Sequence, residues 1–401
     1  MSEPDDDAAR AAARLLDALA ALREQVAAGA AQIMTGWPAA QTPEDVGAAT
    51  ENLAAWLALR QTDLAPLQAP LAALGLSSLG RCEGHVLASI DAVMATLARL
   101  AGRPGPRHPG AETFAMASRT LAARRDAMFG AARDGSPSTR VMVTLPSEAA
   151  EDVAIAEARI AAGADCLRIN TAHDDPEAWV RMARHARTAA AAAGRTVPLM
   201  IDLAGPKLRI TAVNCRDKVR LHPGDRFALA PEVAMARKGG AKLFTASLSH
   251  PQVLDTLAPG DAVWIDDGVL RARVTGRVDA LVELEVTQAR AKGGRIKPDK
   301  GVNLPGRTLD LPALTDADRA RLGTVLNLAD VVGFSFVQTV EDVRDLLAAL
   351  EAGSEGRHLP GLVLKVETPL AVANLPWLIV EAGARVPVAV MIARGDLAVE
   401  I

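Results

Sequence analysis

Three charged residues near the end of the 401-residue chain lie where two apolar runs end. Lys365 and Glu367 close the first run, and Asp396 follows the second. If both runs are parallel strands of one sheet, these side chains meet at the same edge, and the two carboxylates can share a divalent ion. Oxygen-only ligation suits Mg²⁺ or Mn²⁺ and leaves positions for water and substrate. With Lys365 facing the same side as Glu367, the set can stabilise a transferring phosphoryl group or an enolate.

Polar side chains also end the other apolar runs. They are Arg168 with Asn170, Asp202, Ser335 and Arg394. Each one alone is most simply a solvated loop residue or a helix cap, because strand ends are naturally polar. On five successive predicted strands, together with Lys365 and its two carboxylates, they favour a catalytic or binding site.

The segments that must position these residues alternate between strand and helix from residue 140 onward. The predicted strands are 140–145, 165–170, 197–203, 331–336, 361–366 and 386–392, and the predicted helices are 149–162, 174–193, 340–350 and 370–382. Repeated βα units predict a parallel sheet with helices packed on it, either a barrel or a doubly wound sheet. Between residues 209 and 300, short β-like runs (263–265, 270–274 and 281–286) broken by turns predict a small inserted all-β domain.

The N-terminal third has a different pattern. Residues 6–100 are rich in Ala, Leu, Arg and Glu, with apolar residues at helical spacing, and therefore predict an all-helical region. A Pro/Gly-rich stretch at 102–110 predicts a linker, and a further helix is predicted at 112–132. Plain helix packing explains this pattern most simply, and a role in oligomerisation or regulation stays open.

Composition excludes several classes of protein. The net charge of −4 and the pI near 6.0 provide no global basic field, so nucleic acid is not an expected partner. The start is acidic and no apolar stretch reaches the roughly 18 residues of a membrane span, so we expect neither export nor a membrane. Cys82, Cys166 and Cys215 include no CxxC pair, which argues against a disulfide framework and a structural zinc site. The cytoplasm is the expected compartment.

From about residue 138 to its end, the chain resembles the pyruvate kinase family. The matching motifs, in order, are 139–146, 163–170 (GADCLRIN), 202–209 (DLAGPKLR), 265–268 (IDDG), 300–306 (KGVNLPG), 310–313 (DLPA), 335–336 with 341–343, and 391–397 (MIARGDL). The resemblance implies an α/β fold, a (β/α)8 TIM-type barrel of which about six βα units are present, with an inserted small β-barrel lid and an all-α N-terminal region. The implied domains are a helical extension at 1–135, the barrel at 136–210 and 299–401, and the lid at 211–298.

The resemblance implies Mg²⁺-dependent phosphoryl transfer from phosphoenolpyruvate to ADP, giving pyruvate and ATP in glycolysis. Lys365 corresponds to the lysine that stabilises the phosphoryl group in transit, and Glu367 and Asp396 correspond to the carboxylates that hold the metal. Arg168 would contact the substrate phosphate. The backbone of Gly395 and Asp396, at the start of a short helix, would receive the substrate carboxylate.

The same resemblance assigns nucleotide contacts. Arg209 and Lys300 would meet the phosphates of ADP or ATP, with Asn170 and His173 nearby. The inserted β domain would close over the nucleotide and exclude water.

The family's potassium site is altered in this sequence. Asn170 and Asp202 match two of its ligands, but Ala172 and Leu203 replace a serine and a threonine, and Lys207 stands where many members have glutamate. A fixed ammonium there could replace the potassium charge, so we expect activity without K⁺. The simpler alternative is a surface lysine with no such role.

The sequence ends just past the sixth barrel strand. Two strands, a threonine that belongs to the protonation step and the family's C-terminal domain have no counterpart, so we expect a fragment of a longer chain; the alternative is a partner that completes the barrel. The complete protein is expected to form a homo-oligomer.

Two other functions stay open. Residues 366–368 and 395–397 also resemble metal-dependent aldolases or lyases that act on pyruvate enolates, although such an enzyme needs neither Arg209 with Lys300 nor a lid. The other possibility is a regulatory homologue that binds ligand without turnover.

Overall fold

The computed structural model describes residues 3–37, 44–131, 139–214, 219–233, 244–307 and 309–400. Cys215 and the predicted domain boundary at residue 135 lie outside these ranges. The strands are β1 (Met142–Thr144), β2 (Cys166–Asn170), β3 (Leu199–Asp202), β4 (Ile210–Val213), β5 (Arg226–Ala230), β6 (Phe244–Leu248), β7 (Ala262–Ile265), β8 (Leu270–Val278), β9 (Leu281–Gln288), β10 (Val302–Asn303), β11 (Val331–Phe334), β12 (Gly361–Val366) and β13 (Val388–Ile392). The helices are α1 (Glu3–Met34), α2 (Glu44–Arg60), α3 (Ala65–Ala73), α4 (Val86–Leu100), α5 (Ala111–Phe129), α6 (Val153–Ala161), α7 (Pro176–Ala192), α8 (Asp316–Leu328), α9 (Val340–Ser354), α10 (Pro369–Gly383) and α11 (Arg394–Glu400).

Six parallel strands form a half-barrel in the order β1-β2-β3-β11-β12-β13. Helices α6 to α10 alternate with these strands, which confirms the predicted (β/α) barrel class. The strands read as near-continuous apolar runs because both faces are covered: β12 is buried at every position. Trp179 of α7, Leu346 of α9 and Leu378 of α10 are buried in the core that these helices share with the sheet.

Helix α8 was not predicted from the sequence. Its first turns, DADRARL, are polar, and only Asp318, Leu322 and Val325 are buried. Because few apolar residues repeat at helical spacing, the pattern is too weak to predict a helix. Packing of Leu322 and Val325 against the barrel core stabilises it instead.

The outer strand β13 is less buried than the other late strands. Among the described residues it pairs with β12 only, and the Ile392 side chain is 65% exposed. The sheet therefore has an open edge at β13, next to the start of α11.

The inserted region forms a seven-stranded, nearly closed β-barrel in the order β10-β7-β8-β9-β5-β6-β4. Its pairs are antiparallel except for β5 and β6, and its core includes Phe227, Leu284 and Ile265. The three strands predicted in this region are confirmed as β7, β8 and β9. Strands β4, β5 and β6 were not predicted individually. We call this unit the lid.

The N-terminal helices have their own core. Leu19, Ile90 and Leu97 are fully buried there, and α1 packs against α2 and α4. Val380 of α10 belongs to the same core, so the helical unit lies against the barrel at this helix. In the described part of the chain, no helix has the length and hydropathy needed to cross a membrane.

Candidate active site

The carboxyl ends of β2, β3 and β12 bring four of the predicted charged residues together. In the parallel register, Asn170 lies beside Asp202, and Lys365 lies beside Met391 of β13. Arg168 reaches Asp202 from the neighbouring strand β2, and Lys365 reaches it from β12, which is separated from β3 by β11. A network of two cations and two carboxylates results, in which Asp202, Lys365 and Glu367 are buried and Arg168 is partly exposed.

Asp202 is the acceptor at the centre of this network. One of its oxygens, Oδ2, accepts hydrogen bonds from Nε of Arg168 at 3.1 Å and from Nζ of Lys365 at 3.2 Å. The other oxygen, Oδ1, is buried without a hydrogen-bond partner in the described part of the chain. A Cβ at position 333 would lie 2.4 Å from this oxygen, so only glycine leaves room for the carboxylate.

The Lys365 ammonium is held by three oxygens. Nζ donates to Oγ of Ser335 at 2.7 Å and lies 3.1 Å from Oε1 of Glu367, in addition to its contact with Asp202. The Ser335 hydroxyl in turn donates to the carbonyl of Leu203 at 2.6 Å. Because the lysine is only 8% exposed, the charge is fixed in a low-dielectric site, where it acts strongly on an anion.

Glu367 is fixed by the loop that follows β11. Its Oε2 accepts a 2.6 Å hydrogen bond from the backbone N–H of Phe336, a residue with a left-handed φ of 56°. Burial raises the pKa of the Glu367 carboxyl above its usual value, and the nearby Asp396 carboxylate adds to the rise. Lys365 and the Phe336 N–H oppose this shift because they stabilise the charged form.

Lys207 lies beside Asp396. Its Nζ contacts Oδ1 of Asp396 at 2.6 Å, and both side chains are about one-fifth exposed. The two residues matched to the potassium site have other partners: Asp202 is paired as described above, and Oδ1 of Asn170 accepts from the N–H of Ala172. The structure therefore brings Lys207 to one of the predicted Mg²⁺ ligands.

Asp318 of α8 holds the loop that carries Lys207, and sequence reasoning missed it. Its carboxylate accepts hydrogen bonds from the backbone N–H groups of Ala204 at 3.2 Å and Gly205 at 3.1 Å, and from the Thr315 hydroxyl at 2.7 Å. Thr315 also caps α8 by accepting from the Asp318 N–H. The only available signal was this Thr-x-x-Asp pattern, which indicates a helix start but not a tertiary contact.

The residues matched to the nucleotide site lie mainly at the junction of barrel and lid. Arg209 bridges to Gly301 through the backbone, and its Nη1 donates to the Asp299 carbonyl at 2.9 Å. Lys300 pairs with Asp266 at 2.7 Å. His173 is exposed in the loop after β2. Arg209 and Lys300 are thus joined to the lid rather than to the Lys365 network.

The start of α11 is open. A Cβ built on Gly395 would meet nothing within 4 Å, so the backbone beside Asp396 is accessible to a ligand.

At the other end of α11, Glu400 is a further carboxylate that the sequence did not indicate. Burial raises its pKa, and Asn303 opposes the rise by donating a 2.9 Å hydrogen bond.

Glu367 and Asp396 supply carboxylate oxygens of the kind that could hold a magnesium ion. They are close enough for the Asp396 charge to raise the pKa of Glu367. No group of three or more metal-ligating side chains is present among the described residues. Mg²⁺ commonly takes one or two carboxylates and fills its other positions with water and phosphate oxygens. The donor set therefore suits Mg²⁺ or Mn²⁺ and not a closed structural metal site.

The buried lysine, the arginine and the carboxylate pair at the mouth of a βα barrel define a site suited to phosphoryl transfer or enolate chemistry. The family model of the pyruvate kinase barrel domain matches residues 136–401. The pyruvate kinase of Methylorubrum extorquens is 35% identical over 66% of this chain and 51% of its own length, and that of Haemophilus influenzae is 32% identical over 66% and 52%. A pyruvate kinase of Agrobacterium vitis is 33% identical over 65% and 51%. The chain belongs to the pyruvate kinase family, and it spans about half the length of these curated relatives.

Proposed function

We propose that the protein is a pyruvate kinase that transfers a phosphoryl group from phosphoenolpyruvate to ADP and releases pyruvate and ATP. The observation that carries this proposal is the Lys365 ammonium, which is buried and fixed by Ser335, Glu367 and Asp202 beside the Glu367–Asp396 pair. By family likeness we place the protein in glycolysis and in the cytoplasm and expect a homo-oligomer.

In the proposed mechanism, the chain positions and neutralises charge. Arg168 binds the phosphate of phosphoenolpyruvate, and Lys365 stabilises the phosphoryl group as it moves between the two oxygens. The open backbone at Gly395 receives the substrate carboxylate. Glu367 and Asp396 would hold Mg²⁺, which when bound supplies further positive charge to the phosphates.

The lid completes the acceptor site. Arg209, Lys300, Asn170 and His173 bind the phosphates of ADP, and closure of the lid excludes water, which would otherwise hydrolyse the donor. A lyase acting on a pyruvate enolate has no use for phosphate-binding cations at a lid junction, so the positions of Arg209 and Lys300 support the kinase over this alternative.

The direct test measures pyruvate formation in a coupled lactate dehydrogenase assay with phosphoenolpyruvate, ADP and Mg²⁺. We expect NADH oxidation that requires ADP. Pyruvate formed at the same rate without ADP means hydrolysis of the donor and not transfer to ADP. Pyruvate released instead from a 4-hydroxy-2-oxo acid supports the lyase, and no pyruvate from folded protein supports a non-catalytic homologue; each of these results contradicts the proposal.

The proposal includes activity without K⁺, supported by the Lys207 ammonium at 2.6 Å from Asp396. We expect less than about a twofold change in rate when K⁺ is added to K⁺-free protein. In Lys207→Glu, a carboxylate replaces the ammonium beside Asp396, so the K⁺-free rate should fall about tenfold or more and recover with K⁺. A large K⁺ activation of the unaltered protein contradicts this part of the proposal.

Glu367→Gln tests the proposed metal ligand. Because an amide keeps the shape but removes the charge, we expect the Mg²⁺ concentration for half-maximal rate to rise by about tenfold or more. In the unaltered protein this concentration should fall as the pH rises above 4.5, the ordinary pKa, because the raised pKa of Glu367 delays formation of the carboxylate. Glu381→Gln, which alters a buried glutamate paired with Arg344 on α9, is the control and should leave the Mg²⁺ dependence unchanged. Equal Mg²⁺ dependence in both variants would exclude Glu367 as a ligand.

A further inference from the structure

The lid contains a cavity of about 490 Å³ whose wall is mostly basic. Its cationic side chains are Arg220, Arg290, Lys292, Arg295, Lys297 and Lys300. Asp266 is the one carboxylate on the wall among the described residues. We call this feature the basic cavity. The whole chain has a net charge of −4, so the charge of this cluster is opposite in sign to the net charge of the protein.

Little of this charge is neutralised by the protein. Asp266 is already paired with Lys300, and the Arg220 guanidinium donates to the backbone carbonyls of residues 292 and 293. The remaining four cations have no carboxylate partner in the part of the chain that the structure describes: Arg290, Lys292, Arg295 and Lys297. In addition, Nε of Arg295 is buried with no hydrogen-bond partner in that part.

Like charges gathered in a concave wall repel one another and focus a positive potential into the space they enclose. An anion in that space relieves the repulsion and gains charge-assisted hydrogen bonds from the guanidinium groups. Surface lysines that serve solubility alone have no need to face one cavity. The arrangement is therefore suited to an anionic ligand.

The rest of the wall indicates the kind of anion. It consists of Val269, Ala291 and the Gly293–Gly294 pair, with no aromatic side chain among the described lining residues on which a base could stack. The volume is that of a small-molecule site and not of an extended groove for a polymer. Gly293 has a φ of +77°, and a Cβ there would lie 2.9 Å from the Arg220 side chain, so glycine lets the basic loop fold tightly.

We propose that the basic cavity binds a compact polyanion that carries at least two phosphate groups. The site is separate from the Lys365 network, and it shares one side chain, Lys300, with the proposed nucleotide site. The cavity adjoins the proposed nucleotide site at Lys300. The next residue, Gly301, packs closely against Lys207, since a Cβ there would lie 3.1 Å from the Lys207 side chain. The shared chemistry is clustered phosphate, whether from an inorganic chain or from a phosphorylated sugar.

Calorimetric titration of the whole protein with inorganic triphosphate tests the proposal. We expect saturable one-site binding that weakens as salt is raised, and a loss of affinity of about tenfold or more in the double variant Arg290→Gln/Lys292→Gln. Both side chains are exposed, so the fold should be kept, and Lys297→Gln provides a second, independent reduction. The matched control is Arg226→Gln, an exposed lid arginine outside the cavity, with less than a twofold change expected. Absence of binding, or equal loss in the control, overturns the proposal.

Three further titrations locate the site and identify the source of the phosphate groups. Lys365→Met should bind triphosphate as well as the unaltered protein does, and saturating ADP should not abolish triphosphate binding, because the two sites share only Lys300. Loss of binding in Lys365→Met, or full competition by ADP, places the anion in the substrate or nucleotide site and overturns the proposal. A sugar bisphosphate that binds more tightly than triphosphate identifies a phosphorylated sugar as the source, and the reverse order identifies an inorganic chain; both orders support the basic cavity if the double variant weakens them.

Discussion

Lys365→Met should lower kcat for ADP-dependent pyruvate formation by about a thousandfold. The ammonium is fixed in a buried site by Ser335, Glu367 and Asp202, so it stabilises charge on the moving phosphoryl group without reorganising. Removal of one such preorganised group costs about 10²–10³ in rate in other enzymes, and loss of a full positive charge lies at the upper end. The measurement is the coupled pyruvate assay at saturating substrates and Mg²⁺.

Two variants separate a chemical role of Lys365 from a structural one. Arg226→Met removes an exposed cation of the lid and should keep the full rate. Lys365→Arg keeps the charge beside Asp202 and Glu367, so its circular dichroism and melting temperature should remain near those of the unaltered protein. Its rate should still be low, because the planar guanidinium cannot occupy the position of the ammonium. If Lys365→Met retains more than about a tenth of the rate, the assigned role of Lys365 is wrong.

Asp318→Ala should lower the free energy of unfolding by about 3 kcal/mol, because it leaves buried donors without partners. The carboxylate is 1% exposed and accepts from the backbone of Ala204 and Gly205 and from the Thr315 hydroxyl. Chemical denaturation followed by circular dichroism measures the change. Since the same loop carries Lys207 to Asp396, we also expect a shift in the Mg²⁺ dependence of the rate.

Asp316→Ala is the matched control for this prediction. Asp316 lies in the first turn of the same helix but is exposed, so its loss should change stability by less than about 0.5 kcal/mol. Equal destabilisation by both substitutions would show that the effect arises from helix charge, and not from the hydrogen bonds of Asp318 to the loop.

Much of the barrel was predictable because each of its strands and most of its helices are marked by local patterns. The strand predicted at 361–366 is β12 to the residue, and Thr339 and Thr368 cap α9 and α10. Helix α8 was missed because its polar first turns lack a repeating apolar face. In the lid, β4, β5 and β6 are short and irregular, and their pairing is decided by distant partners.

The sequence by itself determined the alternation of strands and helices and the kinds of residue at the strand ends, because these depend on composition and spacing along the chain. Its ordered motifs also carried the resemblance to the family. Only the tertiary structure decided which charges meet. Lys207 and Asp396 are 189 residues apart in the chain, and Asp318 reaches a loop more than a hundred residues earlier. In the basic cavity, five of the six cations lie between residues 290 and 300, and folding of the lid adds Arg220 to them. Such long-range contacts depend on how sheets and loops pack, and local patterns along the chain do not predict them.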